Sequence, residues 1–160
     1  MKRCLPLLII VPMAAGAHDP QPHHAADPRA SSDYVTRLED MTSIEAGKGE
    51  RIHLLKGNEH GFESLSFILT QTAPGGGPPL HTHESEEAHV LTSGTMSYVI
   101  GDQTFVVSAP YILRVPANTP HTFINAGTTP LALTAVFGSA HYTFKPMGPN
   151  PLQQAEQTAK

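Results

Sequence analysis

Across 160 residues the chain has no tryptophan and a single cysteine, and only 15% of its side chains are charged. One thiol, Cys4, excludes an internal disulfide framework and a thiolate-rich metal site. With no tryptophan, six Phe, four Tyr and a net charge of -4, a nucleic-acid platform is excluded, because it needs a basic surface interleaved with stacking rings. The apolar run Leu5 to Met13 is too short to span a bilayer comfortably. What is plentiful is glycine (13) and proline (15), the composition of a turn-rich, all-β single domain rather than a helical bundle.

Basic Lys2 and Arg3, the apolar run to Met13, then Ala15-Gly16-Ala17 have the layout of a secretory signal peptide over residues 1–17, cleaved after Ala17. An uncleaved anchor is the alternative. Cys4 opens the apolar run, whereas a lipid-bearing cysteine would close it. Cleavage predicts a periplasmic or secreted mature protein with no cysteine, a net charge of -6 without Lys2 and Arg3, and no direct membrane contact. Residues 18–32 carry Pro, Ala, Asp and His without an apolar period, which predicts a flexible mature N-terminus in which His23 and His24 have no specific role.

The densest chemistry lies between Gly75 and Gly94. His81 and His83 are two apart, so on a strand they share one face, and Glu87 follows after a short break. His121 completes the set only if a rolled antiparallel sheet brings the segment Pro116 to Asn125 alongside. Three neutral imidazoles and a carboxylate suit a divalent transition metal of the Mn, Fe, Co, Ni, Cu or Zn kind. The competing reading makes them hydrogen-bonded polar residues of a barrel interior.

These residues resemble the cupin signature: Gly, five residues, His-x-His, three or four residues, Glu, six residues, Gly. Gly75, His81, His83, Glu87 and Gly94 match it at every spacing. The second cupin motif reads Gly, five residues, Pro-x-Gly, two residues, His, three residues, Asn. The chain keeps Pro116, His121 and Asn125, and has Pro110 and Asn118 where the two glycines stand. Asn tolerates a left-handed backbone, so Asn118 is expected to serve the same turn. The resemblance covers roughly Glu63 to Phe137. It implies an all-β cupin barrel, a jelly-roll-like double-stranded β-helix, here assigned to residues 33–145 with a C-terminal tail over 146–160. It also implies a homodimer paired through an edge strand.

Along the chain, Tyr34 to Ile44 reads as a short helix or an edge strand, with the resemblance favouring the strand. Arg51 to Leu55 is a strand, with His53 in the barrel wall, and Lys56-Gly57-Asn58 is a turn. From Glu63 to Thr72, Leu65, Phe67 and Leu69 alternate with Ser64, Ser66 and Thr70, the period of a strand with one face in the core. Thr95 to Ile100 and Gln103 to Val107 form a hairpin about Gly101-Asp102. Tyr111 to Val115, His121 to Asn125 and Leu131 to Phe137 are further strands, with His141 to Phe144 extending the last. From Lys145 onward a loose tail or short terminal helix is expected.

Glu86 is the fallback ligand and Glu84 a surface charge, while Asn125 is a turn-stabilising residue by the resemblance. His89, two past Glu87, is the candidate catalytic proton carrier beside the metal; the plainer reading makes it a hydrogen-bonded barrel histidine. Phe67, Tyr98, Phe123 and His89 are candidate pocket residues. Four protein ligands on a six-coordinate ion leave two positions open for an anionic oxygen of a small-molecule ligand. The expected function is a metal-dependent enzyme acting on a small oxygenated compound, oxygenase-like or an isomerase. A non-catalytic small-molecule or metal-binding protein is the alternative.

Overall fold

The computed structural model describes residues 34–158, so the expected signal peptide and the segment 18–32 lie outside the described residues. A short 3-10 turn, Leu38–Asp40, leads into eleven strands: β1 (Thr42–Gly47), β2 (Glu50–Leu55), β3 (Ser66–Thr72), β4 (Leu80–Thr82), β5 (Glu87–Leu91), β6 (Thr95–Ile100), β7 (Gln103–Ser108), β8 (Tyr111–Val115), β9 (His121–Asn125), β10 (Thr134–Phe137) and β11 (Lys145–Gly148). A helix, α1 (Pro151–Thr158), follows. All strand pairs are antiparallel. One sheet has the order β1-β2-β3-β10-β5-β8 and the other β11-β4-β9-β6-β7.

The sheets are built from alternating side chains. β5 buries Glu87, His89 and Leu91, and β6 buries Met96 and Tyr98, so one face of each strand turns inward. Leu91 from the first sheet packs against Met96, Tyr98 and Phe123 of the second, together with Leu131 and Leu133. A second cluster, Ile52, Leu54, Ile68, Ala135 and Phe137, fills the space under β2, β3 and β10. Burial of each large apolar side chain contributes about 1.5–3 kcal/mol. The β6–β7 hairpin forms as expected, with Gly101 in the left-handed region at φ 59°.

β3 corrects one expectation. The core face is Ser66, Ile68, Thr70 and Thr72, not Leu65, Phe67 and Leu69. The reason is that the inward hydroxyls satisfy backbone groups. Ser66 Oγ accepts from Gly57 N at 3.0 Å and donates to Ser139 O at 2.8 Å, and Thr70 Oγ1 accepts from Leu133 N at 3.1 Å. Polar residues that cap buried peptide groups are as much core as apolar ones. Phe67, expected at the pocket, instead meets Phe62 edge-on at 5.1 Å. Two boundaries also move: β10 begins at Thr134, with Leu131 held by an isolated bridge to Thr72, and residues 141–144 form no strand.

The segment from Lys145 onward, expected as a loose tail or short helix, makes β11 against β4 and then α1. Asn150 ties it down: its Nδ2 donates to Pro78 O and to Phe123 O, both at 2.9 Å. Gln153 Nε2 donates to Lys48 O and Gly75 O at 3.1 and 3.0 Å. Replacing Asn150 with Ala removes the shared donor of two carbonyls at a buried position. The expected cost is about 1–3 kcal/mol, read as a lower denaturant midpoint at unchanged slope; an unchanged midpoint would show that the segment does not brace the barrel.

Candidate metal centre

The loop before β4 must pass very close to β9. A Cβ added to Gly77 would lie 1.9 Å from Phe123 O, a distance no side chain survives, so only glycine fits. Gly75 N donates to Asn125 O at 2.8 Å, and Asn125 N to Gly76 O at 2.9 Å. These bonds set β4 beside β9, and in that register His81 faces His121 directly. Asn118 stands at φ 57°, the left-handed conformation expected of it, and its N–H donates to His83 O at 2.7 Å. Asn125 braces the following turn through Thr72 O, Thr129 O and Gly127 N.

His81, His83, Glu87 and His121 converge, all buried, with one ligand atom from each within 4.8 Å of the others. Each imidazole is oriented by a backbone carbonyl. Nδ1 of His81 meets Pro79 O at 2.7 Å, Nδ1 of His121 meets Thr119 O at 2.8 Å, and Nδ1 of His83 meets Thr143 O. A carbonyl only accepts, so each Nδ1 carries the hydrogen and each Nε2 is left as a bare lone pair. Nε2 of His121 and of His83 lie 2.9 and 3.6 Å from Glu87 Oε2.

The residues fit a divalent cation on an observation of the chain itself. Glu87 Oε2 and His121 Nε2 are buried and make no hydrogen bond although 2.9 Å separates them, the relation of two donor atoms directed at a common third point. Buried polar atoms without partners are rare and costly, and a coordinated ion satisfies both at once. The set of three imidazoles and one carboxylate therefore suits a divalent transition metal. Phe144 stacks on His81 at 4.8 Å and Phe137 meets His83 edge-on at 4.8 Å, so the imidazoles cannot swing freely.

The electrostatics prepare these groups for a cation. Burial, reinforced by His121, lowers the His81 pKa to about 3, and burial lowers that of His83. For Glu87 burial alone would raise the pKa, but the electrostatic pull of His89 and its hydrogen bond to Oε1 hold the carboxyl well below the usual range. Neutral imidazoles and an ionised carboxylate are the forms that bind metal.

His89 Nε2 lies 2.8 Å from Glu87 Oε1, and its Nδ1 lies 3.2 Å from Tyr98 Oη, which in turn meets Tyr111 Oη at 3.0 Å. Burial pushes the Tyr98 phenol up, so it remains protonated at neutral pH. Glu86 pairs with Arg114 at 2.7 Å on the surface and is not brought to the group, and Glu84 is exposed.

His81, His83 and Glu87 open onto a cavity of about 40 Å³ that His89, Phe123, Ile52, Ile68 and Glu50 also line. Tyr98 lies behind His89 in the core rather than in the cavity wall. Sequence reasoning missed Glu50. The available signal was its phase: Glu50, Ile52 and Leu54 are the inward positions of β2, so a carboxyl sits where the strand period calls for an apolar side chain.

The model of the Cupin domain family matches residues 68–137. Residues 68–137 therefore form a cupin domain, in keeping with the two antiparallel sheets and the His/Glu cluster. Among solved structures, it is similar to the oxalate decarboxylase of Lactobacillus farciminis in a formate complex (22% identity, TM-score 0.61, covering 69% of this chain and 35% of that one). A variant of the Bacillus subtilis oxalate decarboxylase gives 23% identity and TM-score 0.62 over 76% of this chain and 36% of that one, and that enzyme has Mn(II) centres. A polyketide cyclase from Streptomyces resistomycificus gives 17% identity and TM-score 0.59 over 78% and 92%. At these identities the likeness is one of fold, and the chain spans about a third of the length of the decarboxylases it matches. No curated protein sequence matches the chain.

The pKa of His81 sets a pH dependence. The unfolded chain takes up a proton near the ordinary value of 6.5, whereas the folded imidazole resists protonation down to about 3. Stability is therefore full above about 6.5 and is lost as pH falls toward 3, by up to about 1.4 kcal/mol per pH unit for this group. Metal affinity declines over the same window. His81→Asn is expected to flatten the acid limb of the stability profile measured by denaturant titration; an unaltered limb would refute the assignment.

Proposed function

We propose that this is an exported metal-dependent enzyme that acts on a small oxygenated anion at the His81, His83, Glu87, His121 centre, with oxygenase-like chemistry. The observation that carries the reading is the common orientation of the imidazoles: three Nδ1 atoms tied to carbonyls and three Nε2 atoms left facing one buried carboxylate, beside a cavity. A structural site would be closed by its ligands, whereas His81, His83 and Glu87 line open space. When bound, a divalent transition ion supplies Lewis acidity and, if redox-active, electron transfer.

The chain's own residues do the rest. Apolar Ile52, Ile68, Phe123 and Leu133 in the cavity wall limit water around the ligand and strengthen its polar contacts. Room for about three water molecules, at the 10–15 Å³ each requires, favours a small substrate over a large aromatic one. In this reading His89 carries a proton between the ligand and the Tyr98 and Tyr111 hydroxyls; its hydrogen bonds to Glu87 and Tyr98 support the role. The layout of residues 1–17 supports export. The exposed edge of β1, with Ile44 facing solvent, supports a homodimer paired along that strand.

The decisive measurement is metal-dependent turnover. Activity on a panel of small oxyanions is expected to vanish on chelation, to return with one added metal, and to be lost in Glu87→Ala together with metal affinity, beyond the roughly 10–100-fold that losing a supporting contact costs. Tight ligand binding without turnover under air would support a non-catalytic binding protein instead. For His89→Phe, kcat is expected to fall by about 10²–10⁴ at unchanged metal content; an unchanged kcat would remove the proton-carrying role.

A further inference from the structure

Glu50 is 2% exposed and belongs neither to the four-residue group nor to any ion pair among the described residues. Thr72 hydrogen-bonds its carboxyl, but Oε2 has no partner. The side chain lines the cavity that His81, His83, Glu87 and His89 also line, among Ile52, Ile68, Ala46 and Pro78. A leucine at this inward position of β2 would continue the apolar face begun by Ile52 and Leu54. Instead the fold keeps a carboxyl there with one oxygen unused, at a cost in stability that the Thr72 hydrogen bond offsets only in part.

A buried polar atom with no protein partner, facing a cavity beside a reactive centre, is where a ligand contact is missing. We infer that Glu50 is the second anchor of the ligand site: an oxyanion of the ligand sits at the His81, His83, Glu87, His121 pole, and a hydroxyl or carbonyl oxygen a carbon or so away hydrogen-bonds to the Glu50 carboxyl. The preferred ligand is then a short hydroxy- or oxo-carboxylate rather than a simple monocarboxylate. This rests on the metal-centred reading above. The cavity of about 40 Å³ sets the length, on the order of two or three carbons. Chemistry sets the polarity. Burial, together with the nearby Glu87 charge, raises Glu50 to about 8, so at neutral pH it keeps its proton and can donate to a ligand oxygen without repelling an anion.

The test uses zinc-loaded protein, whose redox-silent ion leaves the probe intact, and calorimetric binding of three two-carbon carboxylates that differ only in the second group: acetate, glycolate and glycine. Glycolate is expected to bind about tenfold more tightly than acetate, the equivalent of one ordinary hydrogen bond. Glu50→Leu should erase the preference and Glu50→Gln, which can still donate, should keep part of it. Equal binding of acetate and glycolate by the unaltered protein, a preference that survives in Glu50→Leu, or preferred binding of glycine would each overturn the assignment.

A second readout needs neither metal nor ligand. Metal-free Glu50→Leu should melt about 2–4 °C higher than the parent, because the unpartnered carboxyl is gone; a lower melting temperature would make Glu50 a structural residue and also overturn the proposal. Zinc content of all three proteins is measured first. A parent that takes up no metal defeats the metal-centred reading and this inference with it, whereas full metal occupancy without discrimination defeats the Glu50 assignment alone.

Discussion

The arrangement depends on three backbone carbonyls. Pro79 O, Thr119 O and Thr143 O each hold the Nδ1 side of an imidazole, which decides the tautomer and turns each Nε2 toward Glu87. None of the three is a motif residue. Pro79 and Thr119 each precede their histidine by two positions, so the strand entry itself presents the carbonyl. Thr143 comes from 60 residues away, in the segment before β11, and reaches His83 only because β11 pairs with β4.

That dependence explains why the C-terminal segment matters to the centre. Asn150 spans the carbonyls of Pro78, just ahead of His81, and Phe123, on the strand that His121 opens. One side chain thus joins the two segments that carry His81 and His121. Gly77 permits this approach. Hydrogen bonds between loops, rather than apolar burial, set the spacing of the ligands, and the two apolar clusters on either side give those loops a rigid frame.

The distribution of unsatisfied groups points the same way. Among the described residues, the buried side-chain atoms without partners are Glu50 Oε2, His53 Nδ1, Glu87 Oε2 and His121 Nε2, and the residues of three of them belong to the metal group or its cavity. Folds tolerate such groups where function supplies the missing partner. His53 stands apart, in the wall of β2.

Much of this was legible in the residues alone. The β6–β7 hairpin and the strands β8 and β9 followed from alternation and from Gly101-Asp102, and the four side chains that converge followed from their spacing and type. The inward face of β3 did not, because period-2 alternation names two faces without saying which is buried, and only the backbone partners of Ser66 and Thr70 decide it. Glu50 escaped notice because a lone carboxyl at the start of a strand looks like a solvated turn residue until the opposite sheet closes over it. By itself, then, the sequence marked out most of the central strands and the four residues that cluster, since both are local properties of residue type and spacing. Only the tertiary structure decided that the Thr143 carbonyl orients His83, which face of β3 is core, and that a buried carboxyl shares the cavity, since each of these depends on chain segments far apart in sequence.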